Sequence, residues 1–117
     1  MKKENVVEKR FREWCISRGW KCRKLVDLGE PGYPDRTIEF GDGLKCHIEF
    51  KRTKSSVVRK SQIRCIRDML ARGERVLITH DLVEAQQWTE LMFQEFAQGV
   101  SSTIHTNTKK LLSSSST

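Results

Sequence analysis

The chain has 117 residues, 37% of them hydrophobic and 32% charged, with a formal net charge of +7. That length supports one small domain with a modest core. No apolar run is long enough to cross a bilayer and the charged, amphipathic N-terminus lacks a signal-peptide pattern, so membrane and secreted classes are set aside and a cytoplasmic protein is expected.

Residues 3–18 are expected to form a helix, because Val7, Phe11, Trp14 and Cys15 recur at helical spacing and Gly19 follows as a stop. Residues 20–26 read as a strand, and 27–34, with Gly29, Pro31, Gly32 and Pro34, as a loop. Strands follow at 35–40 and 44–51, joined by the hairpin signal Gly41-Asp42-Gly43. A polar connector covers 52–58, and a second helix spans 60–72 with Ile63, Ile66, Met69 and Leu70 inward and Gly73 at its end. Arg75–Thr79 is a short strand, Val76-Leu77-Ile78 being apolar enough for burial, and 82–97 form a third helix. The Ser/Thr-rich segment 99–117 cannot bury enough apolar surface to fold alone, so residues 1–98 form the domain and the rest a flexible tail. The order α-β-β-β-α-β-α implies an α/β fold: a meander, a crossover helix and a fourth strand, giving a mixed four-stranded sheet flanked by helices.

The basic charge is unevenly placed. Residues 51–75 hold nine Lys or Arg against two acids, whereas the rest of the chain balances at thirteen against thirteen. A polyanion partner held at that segment is the expectation, with a solvated basic helix face as the plainer alternative. The four cysteines, Cys15, Cys22, Cys46 and Cys65, lack zinc-site spacing and read as reduced core or half-buried thiols.

The chemistry sits between residues 34 and 51. Pro34-Asp35 opens one strand and Glu49-Phe50-Lys51 closes the next. Strand side chains alternate faces, so Glu49 and Lys51 point together while Cys46, Ile48 and Phe50 face the core. The hairpin brings Asp35 beside that pair. Two carboxylates and an ammonium on one side of a sheet are costly unless they bind something. Hard divalent cations take oxygen ligands, and phosphodiester hydrolysis needs what they supply. Asp35 and Glu49 are the natural ligands, with the Phe50 carbonyl as a further donor. Lys51 fits two roles, orienting or deprotonating the attacking water, or stabilising charge on the phosphate. Glu8, one row off the apolar stripe, and Gln62, in the first turn of the second helix, complete the candidate set. Singly these signals are common, since a Glu-x-Lys on a strand is usually a solvent-facing pair and Pro-Asp usually a turn. Their joint order and the hairpin spacing carry the argument.

In these stretches the chain resembles the VRR-NUC domains, a branch of the PD-(D/E)xK nuclease superfamily, and in particular their small stand-alone phage versions. The resemblance runs from about residue 4 to 80, through Val7-Glu8, Gly19-Trp20, Lys24-Leu25-Val26, Gly32-Tyr33-Pro34-Asp35-Arg36, the Gly41/Gly43 turn, Ile48-Glu49-Phe50-Lys51, Gln62 and Gly73. It implies a restriction-endonuclease-like core with Mg²⁺ or Mn²⁺ bound by Asp35, Glu49 and the Phe50 carbonyl, Lys51 as catalytic lysine, and Glu8 and Gln62 in support, Glu8 as a possible ligand through water. It also implies a homodimeric, structure-selective DNA endonuclease active on four-way junctions, in the host cytoplasm if phage-encoded. The chain departs from the pattern in a more basic connector, Arg52 to Arg59, and in the third helix near Trp88 and Phe93, which is expected to be either a dimer element or a cover for the sheet.

Phosphate contacts are expected from Lys24, Arg36, Lys54, Arg59, Lys60 and Arg64. Trp14, Trp20 and Trp88 fit core packing better than base stacking, and His47, although it shares a face with Glu49, reads as an ordinary strand residue. The competing functions are a non-catalytic DNA-binding module on a nuclease fold and a restriction-type or single-strand-specific nuclease.

Overall fold

A computed structural model describes residues 4–24 and 32–99. The end of the expected first strand (25–26), most of the following loop and the tail beyond 99 lie outside these residues. In chain order the elements are α1 (Val6–Ser17), β1 (Lys21–Lys24), β2 (Arg36–Gly41), β3 (Leu44–Phe50), α2 (Lys60–Ala71), β4 (Val76–Thr79) and α3 (Leu82–Gln98).

The helix limits follow from local chemistry. Asn5 caps α1, its side-chain oxygen accepting from Glu8 N–H at 2.7 Å, and Asp81 caps α3 by accepting from Glu84 N–H at 2.7 Å. α2 opens on Arg59, which has no side-chain acceptor to offer. The Gln62 amide oxygen instead accepts from Arg59 N–H at 3.4 Å, which ties that side chain's position to the helix start. The hairpin turn holds positive φ at three successive residues, Gly41 at 109°, Asp42 at 55° and Gly43 at 77°. The Gly-Asp-Gly triplet admits this at little cost, since Asp tolerates the left-handed region better than most side chains.

The sheet order is β1-β2-β3-β4, with β1·β2 and β2·β3 antiparallel and β3·β4 parallel. α2 supplies the crossover that a parallel pair requires. Residues 46–50 of β3 are buried on both faces. Ile48, Cys46 and Phe50 join Ile38, the α1 residues Phe11 and Cys15, and the α3 residues Ala85, Trp88 and Met92 in one core. On the other face α2 packs Cys65, Ile66, Met69 and Leu70 against Val76 and the partly buried Tyr33 and Ile78. The third helix is therefore a cover for the sheet. Trp20 and Trp88 are core residues, and Trp14 stacks edge-on against Trp20 at 5.4 Å. All four cysteines are free thiols. Burial raises the Cys46 thiol well above its usual range.

Candidate active site

The hairpin and the crossover converge on one network. β3 ends at Phe50, and Lys51 continues its alternation just past the strand, so Glu49 and Lys51 share the α2 side. Lys51 Nζ lies 3.2 Å from Glu49 Oε2. Asp35 sits one residue before β2 rather than on it, and the register Arg36↔Ile48 draws it level with the end of β3. Two reciprocal bonds then lock the acids together. Asp35 N–H donates to Glu49 Oε1 at 3.1 Å, and Phe50 N–H donates to Asp35 Oδ2 at 3.2 Å.

Gln62 closes the ring. Its Nε2 donates to Glu49 Oε2 at 2.7 Å and its Oε1 accepts from Lys51 Nζ at 2.7 Å. The amide orientation follows from its neighbours, because a carboxylate only accepts and an ammonium only donates. Glu49 is 1% exposed, and a carboxylate so buried is tolerated because the main-chain amide, the Gln62 amide and Lys51 all serve it. Lys51 is more open than Glu49, its side chain 13% exposed, and Asp35 is half-buried.

Glu8 is placed differently. Arg36 pairs in register with Ile48 and so faces α1, on the opposite side of the sheet from Glu49. There Arg36 Nε donates to Glu8 Oε2 at 2.7 Å, with the two side chains 5% and 1% exposed. Arg36 Nη2 reaches Glu4 Oε2 at 2.5 Å, and Arg12 Nε meets the same oxygen at 2.9 Å. The Arg12 hydrogen bond holds the Glu4 carboxyl below its ordinary value. Glu8 thus holds the residue next to Asp35. Arg36, expected at the surface as a phosphate contact, is instead buried in this ion network, because register with Ile48 turns it inward. Lys54, Arg59, Lys60 and Arg64 are exposed, and Lys24 is half-buried at the end of β1.

Sequence reasoning gave no role to Gly32. It holds φ at +92°, and a Cβ there would lie 2.5 Å from the Ser61 carbonyl oxygen and 2.7 Å from Gln62 N. The backbone leading into Pro34-Asp35 is thus pressed against the first turn of α2, which sets Gln62 beside Glu49. Tyr33 adds an edge-on contact to His47, with ring centroids 5.8 Å apart. His47 is buried between Thr37, whose Oγ1 lies 2.8 Å from Nδ1, and Glu74, whose Oε1 lies 3.1 Å from Nε2. Burial lowers its pKa. It is a structural residue of the strand.

Two carboxylates facing a phosphate repel it unless a cation lies between them. Among the described residues no group of three His, Cys, Asp or Glu side chains forms a ligand cage. The oxygen-only set of Asp35, Glu49 and a main-chain carbonyl nonetheless fits Mg²⁺ or Mn²⁺, since Mg²⁺ keeps several waters and takes one or two carboxylates.

The fold is an α/β domain, a mixed four-stranded sheet between helices. A solved structure described as a VRR_NUC domain superposes on the chain with a TM-score of 0.67 at 24% identity, covering 77% of this chain and 97% of that one. The fold of the chain is the VRR_NUC fold. No family model matches the sequence, and no curated protein matches it. Among the described residues no helix is long and apolar enough to cross a membrane.

Proposed function

We propose that the chain is a divalent-metal-dependent endonuclease that hydrolyses phosphodiester bonds in branched DNA. The observation that carries this reading is the closed Asp35–Glu49–Gln62–Lys51 network at the foot of a strongly cationic segment, the connector after β3 and the first turns of α2. Residues 51–67 contain seven Lys or Arg and no acid. An acidic locus ringed by cations is what a site needs to bring a polyanion to a metal.

Asp35, Glu49 and the Phe50 carbonyl would hold Mg²⁺ or Mn²⁺. The cation, when bound, supplies charge neutralisation at the phosphate and Lewis-acid activation of water. The rest falls to the side chains. Lys51 Nζ already donates to Gln62 and is ion-paired with Glu49, so it meets the phosphate as a cationic donor, which favours stabilising developing charge over deprotonating water. Gln62 keeps Lys51 and Glu49 in register with each other. Glu8 acts through Arg36, steadying the chain at Asp35. Lys54, Arg59, Lys60 and Arg64 track the backbone. A homodimer would place two such sites about a two-fold axis, suited to paired nicks in the symmetric strands of a four-way junction.

Asp35→Ala and Lys51→Ala test the assignment. Each should lower cleavage by about a hundredfold or more, the scale of losing one positioned charge-stabilising group, while leaving DNA affinity within a few-fold. Full cleavage by either variant sinks it. A non-catalytic DNA-binding module would be expected to have lost a ligand, whereas Asp35, Glu49 and Lys51 are all retained and hydrogen-bonded together.

A further inference from the structure

The loop between Lys51 and α2 carries a feature that phosphate binding does not use. Val57 is 83% exposed, more than any other large apolar residue among the described residues. It stands between Arg52 and Lys54 on one side and Arg59 and Lys60 on the other, all exposed. An apolar side chain gains nothing from a phosphate, and one left in water at such a position has no role in packing this chain.

The loop is also built. Ser56 N–H donates to the Thr53 carbonyl at 3.2 Å, Thr53 N–H donates to Ser56 Oγ at 3.2 Å, and the Thr53 hydroxyl meets Ser55 and Ser56 Oγ, each at 3.2 Å. That turn delivers the chain to Val57. Both ends of the loop are pinned at the site by the Lys51–Gln62 bond of 2.7 Å. Gln62 lies five positions after Val57, so their Cα atoms lie within roughly 18 Å of each other even at full extension. That is a reach of about five base steps along one strand.

We propose that Val57 is a wedge that packs against an unstacked base step close to the scissile phosphate, making it a specificity-determining residue for DNA that is open there. The inference rests on the nuclease reading above for its substrate. Proteins that bend or open DNA insert apolar side chains between base steps while flanking Arg and Lys hold the backbone. Val57 suits this use, because a β-branched side chain is stiff at χ1 and loses little freedom on insertion. The cationic flanks select nucleic acid over an apolar protein surface.

The test uses the full-length protein with a four-way junction carrying a fluorescent aminopurine at the branch, in EDTA, so that no cleavage is needed. Wild-type binding should raise the fluorescence as the base unstacks. Val57→Ser should bind with the same salt dependence but lose most of that rise, and Val57→Leu should keep it. With metal present, Val57→Ser should cut the intact junction about tenfold more slowly, on the scale of opening one base step, yet match wild type on a junction with a mismatch at that step. An equal fluorescence rise for Val57→Ser and wild type, or no rise with wild type, overturns the wedge. A Val57-dependent rise without cleavage in any metal leaves the wedge standing and removes the nuclease reading instead.

Discussion

At the residue scale, the candidate site depends on side chains that each serve two neighbours. Gln62 bridges Lys51 and Glu49, and Glu49 also accepts from the Asp35 main chain. Gly32 is the least replaceable of the surrounding residues. Gly32→Ala would drive a methyl into the Ser61 carbonyl at a left-handed backbone position, so either the segment or the first turn of α2 must move. Stability should fall by about 1–3 kcal/mol, and cleavage should fall further than stability explains, because Gln62 moves with the helix. Thermal melts beside cleavage rates at a temperature where the variant is folded check both. Much of this site was legible in the sequence. Strand alternation places Glu49 and Lys51 together, and hairpin closure brings Asp35 to them. The Gly32 contact was not, because its steric partner, Ser61, lies beyond the hairpin, and local turn chemistry carries no trace of a helix packed against that backbone.

At the element scale, the ion ladder Arg12–Glu4–Arg36–Glu8, buried at its Arg36–Glu8 end, ties α1 to the start of β2. Removing one partner of a buried pair strands the other charge, so Glu8→Ala should lose about 3 kcal/mol or more, and replacing both, as Glu8→Leu with Arg36→Met, should recover part of that loss. Urea midpoints of the single and double variants measure it. The ladder also gives a pH signature. The folded-state pKa of Glu4 is depressed below its ordinary 4.5, so its contribution is complete above about 4.5 and is lost as pH falls through the lower folded value. The stability gap between wild type and Glu4→Gln should therefore be steady at neutral pH and narrow below about 4.5, as urea midpoints measured at descending pH would record. Periodicity and stop signals locate the seven elements within a residue or two over the described residues. The inward turn of Arg36 was hidden, because a basic residue beside an acid looks solvated until the register with Ile48 is known. α3 resolves as a cover because Ala85, Trp88 and Met92 meet the sheet core.

At the scale of the whole molecule, a small sheet closed on both faces carries its acids at one end and its cations on the adjoining loop and helix. Net charge alone suggests only a polyanion partner. The carboxylates at the foot of the cationic segment turn that suggestion toward the proposed hydrolysis. The most direct measurement is cleavage of a labelled four-way junction beside linear duplex, flap and single strand, with Mg²⁺, with Mn²⁺ and with EDTA. Paired symmetric nicks, mainly on the junction and only when metal is present, are the expected result. Tight binding with no cutting in either metal would contradict it.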